Sequence, residues 1–366
     1  MKPLYLLAFL TAFASTAPAQ APRQTRNLVL VTVDGLRWQE VFRGMDPALA
    51  ASAETGMAEA EGVRERFAAD TADERRRRLF PFLWSTVAES GVLLGNRDRG
   101  SRVDVANGHL FSYPGYSEIL TGKTQDEAIA SNDLQPNPSV TALEVLQREL
   151  DLAPHQIAVF ASWEVFRGIA SSGAGDFLIN AGYQDLEIES PTPRLADLSR
   201  SQHWLLTPWR SVRHDYHTFE LALEYLRSHT PRVLYLALGE PDDWAHEGRY
   251  DRVLETAHYF DQCLGRLWAA IESNVEYQGK TTMIVTTDHG RGRTPEDWRS
   301  HGAKVAGAEE IWIAAIGPDT PARGDVPDSA PALQADIAPT MLTLLGVSYQ
   351  KLSGVQGKPL PLLIGE

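Results

Sequence analysis

Apolar and β-branched residues cluster in short unbroken runs along this chain. Residues 27–33 (Asn-Leu-Val-Leu-Val-Thr-Val), 156–161, 232–238, 283–287 and 310–317 each run apolar without the polar alternation of a half-exposed strand. Such runs predict strands covered on both faces. A shorter strand is predicted between Gly91 and Gly95. Between the runs the period changes to that of a helix. Val253, Ala257, Phe260, Leu264, Leu267 and Ile271 form one stripe over 250–271, and helices are also predicted over 80–89, 112–121, 140–150, 214–229 and 336–345. Alternating strands and helices imply an α/β fold with a mainly parallel central sheet and helices on both faces.

Two stretches break the alternation. Residues 45–78 are rich in Ala and Glu and then Arg, which predicts a helical excursion over the sheet. Residues 170–212 are rich in Ser, Pro, Gly and Trp, and read as a surface lobe shaping a substrate entrance, with Trp204 and Trp209 as packing residues. No internal repeat is present, so 20–366 reads as one catalytic domain carrying insertions at about 45–78 and 170–212. Lys2, the apolar stretch 4–13 and Ala17-Pro18-Ala19 read as an export signal over 1–19, which implies a periplasmic or secreted protein. That apolar stretch is too short to span a bilayer, and no other approaches the length required.

The composition, 43% hydrophobic and 22% charged over 366 residues, is that of an ordinary globular protein. A net charge of −14 argues against a nucleic-acid surface. The run Arg75-Arg76-Arg77-Arg78 follows Asp73 and Glu74 and reads as a solvated helix face. Cys263 is the sole cysteine and lies on the apolar stripe of 250–271, so it reads as a core residue.

The candidate chemistry stands where strands end. Run 283–287 delivers Asp288-His289-Gly290, followed by Ser300-His301-Gly302. Run 27–33 delivers Asp34-Gly35, and run 232–238 delivers Pro241-Asp242-Asp243-Trp244-Ala245-His246. Asp242 and His246 are four apart and share a helix face; Asp243, three from His246, is the second choice. In open α/β sheets the carboxyl ends of strands are where ligands bind, and carboxylate with neutral imidazole is a divalent-metal donor set. Ser112 stands at an N-cap-like position, with Pro114 in the first turn and Gly122 as the stop. A hydroxyl among free helix amides can be a plain cap or a nucleophile. Ser117 would lie inside the helix, away from those amides. Ile129-Ala-Ser-Asn132 follows in a loop.

Taken together, Val33-Asp34-Gly35, Ser112-Tyr113-Pro114 through Thr121-Gly122, Pro241-Asp242 through His246, Asp288-His289-Gly290 and His301-Gly302 resemble the motif set of the alkaline phosphatase superfamily. The resemblance is to its branch of nucleotide pyrophosphatase/phosphodiesterases and single-domain bacterial alkaline phosphatases. It implies a phosphate-ester hydrolase with two zinc ions, manganese or another divalent metal being alternatives. Asp242, His246 and His301 would hold one ion; Asp34, Asp288, His289 and the Ser112 oxygen would hold the other. Ser112 would be the nucleophile through a phosphoseryl intermediate, and the Tyr113 amide with Asn132 would hold the non-bridging oxygens. The implied partner is a small phosphate ester.

Three departures qualify the resemblance. Gly115 stands where nucleotide pyrophosphatases have Asn. Ser162-Trp-Glu-Val-Phe-Arg167-Gly168 stands in place of the Ser-x-Lys-x-Arg-Gly stretch of the monoesterases, without its Lys. Ala245 replaces a Gly before His246. Monoester and diester hydrolysis both stay open. A sulfatase is disfavoured by the absence of a Cys/Ser-x-Pro-x-Arg context, and a manganese phosphotransferase or mutase by the export signal. A non-catalytic phosphate-ligand binding protein on the same fold is the remaining alternative.

Overall fold

The computed structural model describes residues 23–52, 54–57 and 60–366. The export signal expected over 1–19 lies outside the described residues. In chain order the strands are β1 (Asn27–Val33), β2 (Val92–Leu94), β3 (Val103–Asp104), β4 (Ile157–Ala161), β5 (Leu178–Ala181), β6 (Val233–Leu238), β7 (Thr281–Thr286), β8 (Glu310–Ile311), β9 (Ile313–Ile316), β10 (Gly324–Asp325) and β11 (Ala332–Leu333). The central sheet has eight strands in the order β10-β2-β9-β7-β1-β6-β4-β5, and a small sheet has the order β11-β3-β8. Only β9 runs against its central-sheet neighbours, pairing antiparallel with β7 and β2. The α/β architecture read from the periodicity is therefore the one observed.

Successive residues of β1 feed opposite cores, as strand geometry requires. Val29, Val31 and Val33 pack in one cluster with Val253, Ala257, Phe260, Leu264, Leu267 and Ile271 of the helix Tyr250–Glu272. Leu28 and Leu30 pack in the other with Tyr113, Tyr116, Ile119 and Leu120 of the helix Ser112–Thr121. Helices thus cover both faces, and truncating a buried residue such as Leu264 to Ala would cost about 2–5 kcal/mol. Cys263 is buried in the first cluster.

Three expectations change. The run 310–317 is two strands rather than one. The chain breaks at Trp312, whose indole is buried and donates to the Leu36 carbonyl at 2.9 Å, so β8 joins the small sheet and β9 the central one. Residues 170–212 are more than a surface lobe: they contribute β5, the edge strand of the central sheet, and the helix Pro193–Ser201, capped by Thr192. The Ser- and Pro-rich composition masks a four-residue strand whose pairing is decided by β4. The Arg run lies in the helix Ala72–Leu79, closed by a Thr71/Glu74 capping box. It is not a uniformly solvated face, because Arg76 stacks on Trp84 at 3.6 Å.

Strands β7, β1, β6 and β4 are adjacent and parallel. Their carboxyl ends form a row about 4.8 Å apart; β1, β6 and β4 run directly into Asp34, Gly239 and Ser162, and β7 reaches Asp288 through Thr287. That row is the base of the candidate site.

Candidate active site

Asp34 and Asp288 leave neighbouring strands, and the turn after β1 passes very close to Asp242. Gly35 sits at φ +56, and a Cβ there would lie 2.4 Å from Asp242 Oδ1. Only glycine permits both the conformation and the approach. The Gly35 amide in turn donates to Asp288 Oδ1 at 3.0 Å, and the Tyr116 hydroxyl donates to Asp34 Oδ2 at 3.0 Å. Each carboxylate is thereby held by one oxygen. The other oxygens, Asp34 Oδ1 and Asp288 Oδ2, are buried without a hydrogen bond.

The structure brings six of the sequence-derived residues into two sets: Asp34, Asp288 and His289; and Asp242, His246 and His301. In each set one donor atom per residue lies within 4.8 Å of the others. His289 Nε2 is 3.4 Å from Asp34 Oδ1, 3.3 Å from Asp288 Oδ2 and 3.8 Å from Asp242 Oδ1. His246 Nε2 is 3.1 Å from Asp242 Oδ2 and 3.1 Å from His301 Nε2. The His289 and His301 rings stack at 4.0 Å, joining the sets.

Both of these imidazoles are oriented from behind. His289 Nδ1 faces the Gly290 carbonyl at 2.9 Å and His301 Nδ1 faces the Leu110 carbonyl at 3.2 Å. A carbonyl only accepts, so each Nδ1 faces it as a donor; His289 Nε2 then turns toward the carboxylates and His301 Nε2 toward His246 Nε2. Unhydrogen-bonded carboxylate oxygens facing imidazole lone pairs are mutually unfavourable unless a cation sits among them. The donor chemistry therefore fits divalent metal in both sets.

Titration behaviour follows from the same crowding. Burial, reinforced by the Asp242 charge, pushes Asp34 well above the carboxylate range. Burial and the Asp34 charge do the same to Asp288. For Asp242 burial pulls upward too, but the Arg291 guanidinium outweighs it, with His246 and His301 adding, and the group is held well below its ordinary value. Burial and neighbouring His289 bring His301 down to about 2, so it is neutral.

Arg291, fully buried, contacts both Asp242 Oδ1 and, at 3.1 Å, the Asp242 carbonyl. Sequence reading missed it. Its only signal was an Arg immediately after Asp288-His289-Gly290, which by itself is indistinguishable from a surface charge.

Ser112 lies at the start of the helix Ser112–Thr121, but the N-cap is Phe111 and no side chain caps this end. The expected N-cap role is corrected: Ser112 is the first helical residue, so its hydroxyl is not spent on its own helix. Ser112 Oγ lies 3.4 Å from His289 Nε2. The Tyr113 amide donates to Asn132 Oδ1 at 2.9 Å, which places Asn132 beside the nucleophile candidate. Ser117 is buried and bonded to Gln125 and Asn137, a structural role. Gly115 has a packing reason, since a Cβ there would lie 2.3 Å from the Asp288 carbonyl oxygen. Arg167 is exposed, and its polar contacts are with Glu164. Ser162 donates to Asp215 at 2.5 Å.

A cavity of about 890 Å³ lies away from all of these. It is lined by Pro154 and His155, which precede β4, and by residues around β5, so it opens near the amino end of β4 rather than among the carboxyl ends that carry the site.

With the fold and site in view, comparison with known proteins gives a consistent class. Residues 158–313 match the family described as type I phosphodiesterase / nucleotide pyrophosphatase. A wild-type alkaline phosphatase, PafA, superposes with a TM-score of 0.61 at 12% identity, covering 95% of this chain and 100% of that one. A phosphonate monoester hydrolase from Silicibacter pomeroyi superposes with a TM-score of 0.57 at 15% identity, covering 93% and 77%. The fold is that of the alkaline phosphatase superfamily. Among curated proteins, a 2,3-bisphosphoglycerate-independent phosphoglycerate mutase of a Synechococcus species is 29% identical over 136 residues, 34% of this chain and 24% of its own length. A second, from Synechococcus elongatus, is 31% identical over 125 residues, 31% of this chain and 21% of its own. The chain thus spans about a quarter of the length of the curated relatives it matches. Among the described residues no helix is long and apolar enough to cross a membrane.

Proposed function

We propose that this protein is an exported, metal-dependent phosphoric ester hydrolase that uses Ser112 as nucleophile and prefers diesters to monoesters. The observation that carries the reading is the placement of Ser112 Oγ 3.4 Å from His289 Nε2, at a helix start that faces two carboxylate–imidazole sets. Asp34, Asp288 and His289 would hold one divalent ion with the Ser112 oxygen, and Asp242, His246 and His301 the other; zinc suits the donor set, with manganese the alternative. Such ions, when bound, lower the pKa of a coordinated hydroxyl or water and offset charge on the departing oxygen.

The residues themselves do the following. Ser112 Oγ gives its proton to solvent and attacks phosphorus; the P–O bond to one alcohol breaks, that oxygen keeping the bonding pair and taking a proton from solvent, and a seryl phosphate still esterified to the second group remains. Water then attacks phosphorus, the P–Oγ bond breaks, Ser112 regains a proton and the phosphate monoester leaves. The Asn132 amino group, oriented by the Tyr113 amide on its Oδ1, supplies a donor to the non-bridging oxygens. Tyr116 and the Gly35 amide fix the carboxylates Asp34 and Asp288, so little reorganisation is needed during turnover. Diester preference is supported by the surroundings of the site. A dianionic monoester calls for an additional cation, yet Arg167 pairs with Glu164 at the surface and Arg291 is committed to Asp242. Export rests on the amino-terminal pattern alone.

The test is turnover of bis-p-nitrophenyl phosphate against p-nitrophenyl phosphate at alkaline pH, with zinc supplied and then chelated, for wild type and Ser112→Ala. Zinc-dependent cleavage, faster for the diester and abolished in Ser112→Ala with metal retained, is the expected result. No cleavage of either ester by the metal-loaded protein rejects the hydrolase. The likeness to phosphoglycerate mutases keeps phosphotransfer as a second reading, which transfer of phosphate to an added alcohol in preference to water would favour.

A further inference from the structure

Glu118 is the single charged residue of the helix Ser112–Thr121, and its side chain is wholly buried. Its partners are N–H groups from two separate segments. Oε1 accepts the Ala106 amide at 3.0 Å and the Ala335 amide at 3.1 Å; Oε2 accepts the Asn107 amide and the Asn107 side chain, each at 2.9 Å. Burial raises its carboxyl against the pull of these donors. A carboxylate is costly in such a place, and an apolar side chain would pack the helix as well. What only the carboxylate can do is gather those N–H groups onto one point.

From Glu118 two chains of hydrogen bonds lead to the two donor sets. The first runs through the loop before Ser112. Asn107 Oδ1 accepts the His109 and Leu110 amides at 3.2 and 2.9 Å. Leu110 is held at φ +55, a left-handed conformation that a branched side chain rarely takes unless its surroundings enforce it. Its carbonyl accepts His301 Nδ1 at 3.2 Å. The second chain runs through the residues directly after β11. Gln334, next to Ala335 and fully buried, donates from Nε2 to the Thr287 and Asp288 carbonyls at 3.0 and 2.7 Å. That is the strand end carrying Asp288 and His289. We propose that Glu118 is a positioning residue: it fixes both metal-ligand sets against the Ser112 hydroxyl, one through Asn107 and Leu110, the other through Gln334. This rests on the metal-dependent reading above, and adds that the two branches are separable, each serving one ion.

The test is zinc affinity, by competition with a chromophoric chelator on the full chain, with Tm recorded alongside. Wild type is expected to bind two equivalents. Asn107→Ala should weaken the equivalent that His301→Ala loses by about tenfold or more and leave the other within about threefold; Gln334→Ala should do the reverse. Glu118→Gln should weaken both. Equal weakening of both ions in each branch variant, in step with Tm, means that Glu118 only supports the fold and overturns the proposal. Unchanged affinity in Glu118→Gln also overturns it, and if that variant does not fold the two branch variants decide. If wild type binds no zinc, the metal reading fails, and hydrogen exchange of the metal-free chain decides instead. Glu118→Gln should then speed exchange in 286–290 and 299–303, neither of which bonds to Glu118; faster exchange confined to 105–110 and 333–337 overturns the positioning role.

Discussion

The Tyr113 amide donates to Asn132 Oδ1 across 2.9 Å, one residue beyond the Ser112 hydroxyl. Asn132 thereby has its oxygen engaged and its amino group left as a donor beside the nucleophile candidate. Its parent loop is exposed, so this contact is what orients it. Asn132→Ala should lower kcat/KM for bis-p-nitrophenyl phosphate by on the order of 10²-fold, the usual effect of removing one preorganised donor. Metal content should stay at the wild-type value. A loss below threefold in the same steady-state assay would remove Asn132 from the site.

His301 shares its donor set with Asp242 and His246, whereas Asp34, Asp288 and His289 are complete without it. His301→Ala should therefore release one metal equivalent per chain and keep the other. Elemental analysis after dialysis decides this, and retention of both ions would reject the assignment.

Gly115 faces the strand end that carries Asp288. A methyl group at 2.3 Å from the Asp288 carbonyl oxygen cannot be accommodated without moving the helix Ser112–Thr121 away from β7. Gly115→Ala should cost about 1–3 kcal/mol of stability, read as a lower Tm, and depress turnover more than Tm because Ser112 and Asp288 move apart together. An unchanged Tm would show that the helix has slack. The same geometry explains the departure from the Asn of nucleotide pyrophosphatases: here the position is filled by backbone.

Asp261 gives a pH prediction independent of the metal sets. It lies on the helix Tyr250–Glu272 and accepts the Phe82 and Leu83 amides at 2.7 and 2.9 Å. Burial nonetheless brings its carboxyl up to about 7, against the partial offset of those two bonds. The folded state thus holds the proton more tightly than the unfolded chain, where the pKa is about 3.9. Stability contributed by this group is present below pH ~4 and is lost as pH rises through ~7, a fall of at most about 4 kcal/mol. Asp261→Asn should flatten that segment of the stability curve. Denaturant melts of both proteins between pH 4 and 8 measure it, and parallel curves would count against the shift.

Much of the fold was legible because a strand buried on both faces must be apolar throughout. The runs at 27–33, 156–161 and 232–238 match β1, β4 and β6 to within a residue. The stripe from Val253 to Ile271 is likewise wholly buried. The short strands were less legible. β5 has four residues in a Ser- and Pro-rich setting, and β8 and β9 divide at Trp312, because sheet pairing with distant partners decides both.

The same division holds at the site. Sequence alone determined which residue types end the strands, since an Asp-His pair or an Asp-Gly turn after an apolar run is a local pattern. It determined Asp34, Ser112, Asp242, His246, Asp288, His289 and His301 as the candidates, but not their distances. Tertiary structure decided that Asp34 Oδ1 and Asp288 Oδ2 stay unbonded, that Arg291 takes one oxygen of Asp242, and that Arg167 turns to Glu164 instead. These are relations between residues far apart in the chain. They depend on strand order and on the closeness that Gly35 and Gly115 allow, and no local pattern carries either.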